Sequence, residues 1–168
     1  MAFVYRVINP VVKTILKSRF HGVLSNNTLM ISFVGRKSGN TYEIPISYAR
    51  DGAQFLCFTA RGNQWWRNLR DGVVINLLVA GDHLDATSYL EMTERDTIVR
   101  DLMLFLTQVP RDAKPSGVRL DKAGKPHADD LAAAAESLVS IRFTAVAGAN
   151  HANHANHADH ADHADIKE

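Results

Sequence analysis

The 168-residue sequence predicts an α+β, mainly β fold in which short antiparallel strands close a barrel. Three observations carry this prediction. Six runs rich in β-branched and aromatic residues recur along the chain, tight turn signals join them in pairs, and only three segments show helical spacing. That pattern favours a barrel over an open parallel sheet, which would alternate strand with helix throughout.

Taken in order, Asn9-Pro10 reads as a helix start, an N-cap followed by proline where its missing N–H costs nothing. Val11, Val12, Ile15 and Leu16 then form one apolar stripe with Lys13 and Lys17 off it, predicting an amphipathic helix from about Pro10 to Phe20 within an N-terminal segment of residues 1–22. Strands follow over Thr28–Val34 and Tyr42–Tyr48, flanking a glycine-bounded loop. Asp51-Gly52 is a hairpin turn, and Gln54–Thr59 returns from it. A second hairpin runs over Val73–Ala80 and Leu84–Glu91 with its turn at Gly81-Asp82, and Leu138–Phe143 supplies the last strand. Thr93 with Asp96 resembles a capping box ahead of a helix that Pro110 stops, and a shorter helix is predicted from Ala128 to Glu136. The barrel domain is thereby bounded at residues 23–144.

Residues 145–168 differ in kind. The triplet Ala-Asn-His occurs three times, then Ala-Asp-His twice, so that five of the eight histidines lie here. Short perfect repeats without large apolar residues cannot bury a core, and this tail reads as a disordered appendage with incidental affinity for metal ions; no metal site is expected in the body.

Composition narrows the function. A single cysteine, Cys57, rules out an internal disulfide framework, and with no signal-peptide pattern and no membrane-length apolar run it points to a protein of the cytoplasm. The formal charge of +1 averages unlike parts: up to Thr144 there are 18 Lys+Arg against 14 Asp+Glu, and the first 42 residues hold six cations and no acid. An anionic partner fits, either a phosphorylated small molecule or, through the first helix, weak contact with the inner membrane face. Nucleic acid does not, because the excess is modest and basic residues are not interleaved with aromatics.

Two constellations can carry chemistry. Gly35-Arg36-Lys37-Ser38-Gly39 joins two strands and packs two cations, a hydroxyl and two permissive glycines into five residues, as phosphate binding requires; alone, it also describes a solvated basic turn. The second runs from Thr59 to Leu69. Adjacent Trp65 and Trp66 cannot both enter one core, so at least one lines a groove or caps the barrel end, and Asn68 has both donor and acceptor for a heterocycle edge. No nucleophile elbow, zinc-protease motif or cysteine pair competes.

The order Gly35-Arg36-Lys37-Ser38-Gly39, Pro45, Tyr48, Asp51-Gly52 and Trp65-Trp66-Arg67-Asn68-Leu69 resembles the deazaflavin-dependent nitroreductase family of split-barrel flavin and deazaflavin oxidoreductases, over roughly Leu24 to Phe143. The resemblance implies an FMN-binding split-barrel-like fold holding coenzyme F420, with FMN as the alternative. Gly35, Arg36, Lys37, Ser38 and Gly39 would grip its phosphate, Thr59, Ala60 and Arg61 would lie against the ring, and Trp65 and Asn68 would complete the pocket. It implies hydride transfer to a small electrophilic acceptor such as a quinone or enone, and a homodimer, which split barrels commonly form. A deazaflavin-binding or lipid-associated protein without catalysis is the other reading. Nitroimidazole-reducing members place substrate-contacting tyrosines in their C-terminal half, whereas the tyrosines here are Tyr5, Tyr42, Tyr48 and Tyr89. Tyr48 is then the candidate proton donor.

Overall fold

The computed structural model describes residues 27–146 apart from position 71. The helix expected over residues 10–20 and the repeat-rich tail lie outside the described residues.

Six strands form one closed antiparallel barrel: β1 (Thr28–Val34), β2 (Thr41–Asp51), β3 (Gln54–Ala60), β4 (Ile75–Val79), β5 (Asp82–Glu91) and β6 (Leu138–Ala145), in the order β1-β2-β3-β6-β5-β4 with β4 pairing back to β1. The described residues also form two α-helices, α1 (Arg95–Gln108) and α2 (Ala128–Ala135), a single 3-10 turn over Pro110–Asp112 after α1, and a short 3-10 helix over Trp65–Leu69. The two α-helices match those expected beyond the first segment. The last strand runs further than its sequence signal: Thr144 and Ala145 pair with β5, and the Val146 N–H donates to Asp85 O at 2.8 Å.

Alternation explains the closure. Along β3, Phe55 and Cys57 face the barrel interior with Leu29, Ile31, Phe33, Leu77, Ile141 and Phe143, while Leu56 and the half-buried Phe58 turn outward beneath α1 against Leu102, Phe105 and Leu106. A strand buried on both faces loses the polar half of its period, which is why Gln54–Ala60 reads as almost continuously apolar. Cys57 is fully buried, and desolvation pushes its thiol well above the usual range, leaving it inert.

Two local expectations shift. The β4–β5 turn is Ala80-Gly81, one residue earlier than expected, because Val79 pairs with Asp82. Both turn residues have positive φ, 52° at Ala80 and 97° at Gly81, as a two-residue hairpin matched to strand twist requires. The capping box at α1 does not form. The Thr93 hydroxyl donates instead to Glu91 Oε1 at 3.0 Å, and the same oxygen accepts the N–H groups of Met92, Thr93 and Glu94 at 2.9, 2.9 and 3.0 Å. A buried carboxylate at the end of β5 outcompetes the shorter Asp96, because it reaches four donors at once.

That arrangement has a pH signature. The N–H groups of Glu94 and Thr93 hold the Glu91 pKa down at about 2, against a burial effect that raises it. A carboxyl depressed on folding stabilises the fold fully above its unfolded pKa and ceases to do so as pH falls through the folded value. Between about pH 4.5 and pH 2 the wild type should lose stability that Glu91→Gln lacks throughout. Melting curves of the two proteins should therefore differ at pH 7 and converge near pH 2; parallel curves would contradict this.

Candidate functional site

Antiparallel pairing around the barrel brings the C-terminal ends of β1, β3 and β5 to one rim, together with the starts of β2, β4 and β6. The Gly35 loop and the 3-10 helix stand on this rim and enclose an open cleft of about 780 Å³.

The loop is shaped from within. Gly39 N–H donates to Gly35 O and Gly35 N–H to Asn40 O, each at 2.8 Å, which closes the turn on itself. Gly39 sits at φ 68°, where glycine carries no steric penalty. Gly35 is required for a different reason: a Cβ there would lie 2.6 Å from Tyr42 Cε2 and 2.7 Å from Ser38 Oγ. Asn68 ties the loop to the 3-10 helix, its Oδ1 accepting the Arg36 N–H at 3.0 Å and its Nδ2 donating to Trp65 O at 2.9 Å. One lone pair and one proton of the amide stay uncommitted, so Asn68 is first a brace and only then a candidate ligand contact. Among the described residues this leaves the N–H groups of Lys37 and Ser38 as the loop donors without an internal acceptor.

The adjacent indoles part company. Trp66 is 4% exposed, packs into the barrel core, and is flanked by the Arg67 and Arg70 guanidinium groups at 5.5 and 4.9 Å from its ring. Trp65 turns the other way and stacks on Phe33 at 6.4 Å, while Tyr42 stacks on the same phenyl ring at 5.7 Å. The cleft wall is thus a row of three aromatic rings, bordered by Arg36 and Lys37 on the loop and by Arg67 and Arg70 on the helix side, with no carboxylate among the described lining residues.

Of the residues singled out from sequence, Gly35, Arg36, Lys37, Ser38, Trp65 and Asn68 line this cleft, and Gly39 closes its loop. Thr59, Ala60 and Arg61 reach the same rim without lining it. Thr59 is buried and accepts a hydrogen bond from Asn63 Nδ2 at 2.9 Å. Arg61 points to the carbonyls of Leu138 and Met92 and borders a separate cavity of about 240 Å³. Tyr48 is 5% exposed inside the barrel, edge-on to Phe55, and its ring does not reach the cleft. Tyr42, Phe33, Arg67 and Arg70 were not singled out. Tyr42 was legible in principle, since folding the hairpin about a six-residue loop, residues 35–40, sets it opposite Phe33.

No family model matches the chain, and no curated protein sequence matches it. Solved structures do. A conserved hypothetical protein from Mycobacterium tuberculosis is similar at TM-score 0.51 and 16% identity, over 73% of this chain and 75% of that one. A candidate 5-nitroimidazole antibiotic resistance protein from Bacteroides thetaiotaomicron is similar at TM-score 0.51 and 8% identity, over 76% and 78%. An F420-H2 dependent reductase is similar at TM-score 0.46 and 14% identity, over 70% and 94%. At such identities the likeness is one of architecture alone, a closed six-stranded antiparallel barrel with flanking helices.

Proposed function

We propose that this chain binds a phosphate-bearing deazaflavin, coenzyme F420, and serves as a reductase that delivers hydride to a small electrophilic acceptor such as a quinone or enone. One observation carries the reading: four cations, and no carboxylate among the described lining residues, border an aromatic wall in a single cleft. That combination suits a ligand that is anionic at one end and flat at the other. The Lys37 and Ser38 N–H groups with the Arg36 and Lys37 side chains would hold the phosphate, and Trp65, Phe33 and Tyr42 would cover the ring system. When bound, the cofactor supplies the hydride; the protein supplies orientation and exclusion of water. Because the wall has no group specific to one heterocycle, FMN is the second reading. Binding without turnover is the third, favoured by the scarcity of proton donors in the cleft.

Titration of the purified protein with F420 and with FMN, followed by the fluorescence of each, tests the reading. Saturable binding of F420 is expected; binding of neither overturns it. Arg36→Ala or Lys37→Ala should weaken binding by about 10- to 100-fold, the equivalent of one charge-assisted hydrogen bond. Neither should lower the melting temperature appreciably, because both side chains are exposed. Unchanged affinity in both variants would remove the loop from the site.

A further inference from the structure

The hydroxyls of Ser38 and Tyr42 lie 3.0 Å apart on the wall of the cleft. Ser38 Oγ also accepts the Asn40 N–H at 3.3 Å. Two hydroxyls bring two protons, and the bond between them uses one, so a single proton remains to donate outward. Which one remains depends on the direction of the bond between them, since either hydroxyl can donate. An oxygen that accepts a hydrogen bond becomes a stronger donor, and where Ser38, polarised by the Asn40 N–H, is the donor to Tyr42, the phenol O–H is free to turn outward. Its ring is fixed for this task, stacked on Phe33 at an interplanar angle of 24° and pressed against Gly35 so closely that no Cβ fits there. Its hydroxyl thereby shares the cleft with the side chains of Arg36 and Lys37.

We propose that Tyr42 is a binding residue for a phosphate oxygen of the ligand, its hydroxyl being the last link of a relay from Asn40 N–H through Ser38. The inference rests on the reading that the cleft takes a phosphate-bearing cofactor. The shared chemistry is a phosphate ester, a diester in F420 and a monoester in FMN. In this scheme Ser38 acts through Tyr42, as a positioning residue.

The test is a double-mutant cycle read by ligand fluorescence. Wild type, Ser38→Ala, Tyr42→Phe and the double variant are titrated with FMN and riboflavin, and with F420 and its phosphate-free deazaflavin chromophore; the pair showing the phosphate-dependent difference identifies the ester. Tyr42→Phe, which keeps the ring and its packing, should weaken the phosphate-bearing ligand by about 10-fold, the scale of one hydrogen bond to a charged group, and leave the phosphate-free ligand unchanged. Ser38→Ala should cost about 3-fold in the wild type, a fraction of one bond lost with the relay, and nothing further in the Tyr42→Phe background. Wild-type affinity in Tyr42→Phe overturns the inference. So does equal weakening of both ligands of a pair, which would mark a structural role, or a Ser38→Ala cost that is the same in both backgrounds, which would mark direct contact. A wild type that binds none of the four ligands overturns the cofactor reading as well.

Discussion

Asp101→Ala is expected to destabilise the fold by about 3–5 kcal/mol, the cost of removing one partner from a buried ion pair. Asp101 is 1% exposed on the barrel-facing side of α1. Its Oδ1 accepts Arg142 Nη2 at 2.7 Å, and its Oδ2 accepts the Ser140 hydroxyl at 2.9 Å and Arg142 Nε at 3.3 Å. Both partners alternate outward from β6 while Val139, Ile141 and Phe143 face the interior, so the carboxylate pins the helix to the strand opposite the core. Without it the guanidinium keeps only its contacts to Asp51 at 2.6 Å and to Gln54 at 3.0 Å, at the edge of the cluster, and stays largely desolvated. Urea unfolding should show the loss as a lower midpoint with an unchanged slope. A matched apolar replacement, Asp101→Leu with Ser140→Ala and Arg142→Met, should recover most of it, since a buried ion pair exchanged for well-packed hydrophobic groups is often neutral. A loss below about 0.5 kcal/mol in Asp101→Ala would place the site among ordinary surface substitutions and refute the argument.

What was legible follows from what each signal depends on. The strands could be read because alternation and turn residues are local: Asp51-Gly52 fixes its hairpin, with Gly52 at φ 59°, and β1 lies where its six apolar and β-branched residues put it. The cation-bearing loop could be read for the same reason. Asp101 could not, because nothing near it in sequence announces that Ser140 and Arg142, 39 and 41 residues on, will satisfy it. The capping box failed similarly, through competition from Glu91, whose advantage exists only once β5 ends beside α1. In the site, the pattern around Tyr48 is the family-like one, yet that ring lies within the barrel, and Tyr42, six residues earlier on the same strand, is the tyrosine on the cleft. Both residues share a period-2 parity, so alternation alone puts them on one face. What separates them is height: Tyr42 pairs with Phe33 at the rim, whereas Tyr48 pairs with Cys57 deep in the barrel. Arg67 and Arg70 sit in plain view beside the tryptophans, but their place on the cleft depends on the 3-10 turn, which has no periodic signal.

With reduced F420 supplied, small quinones or activated enones should be reduced faster than bicyclic nitroimidazoles by about 100- to 10,000-fold, the usual contribution of a positioned general acid. Hydride transfer to a quinone yields a hydroquinone anion stabilised by its own ring, which water can protonate. A nitroimidazole ring needs a proton placed as the charge develops. Among the described residues lining the cleft there is no histidine, cysteine or carboxyl group, and the single phenol, Tyr42, is held against the Gly35 loop by Ser38. The cations Arg36, Lys37, Arg67 and Arg70 line the cleft and would stabilise anionic products by charge. The interior Tyr48 hydroxyl cannot serve without opening the barrel. Stopped-flow oxidation of the reduced cofactor by menadione and by a bicyclic nitroimidazole at equal concentration measures the ratio. A ratio near one, or faster nitroimidazole turnover, refutes the prediction, and its loss in Tyr42→Phe or in Tyr48→Phe would then name the hydroxyl responsible. Oxidation by neither acceptor would instead favour the reading in which the cleft binds the cofactor without turning it over.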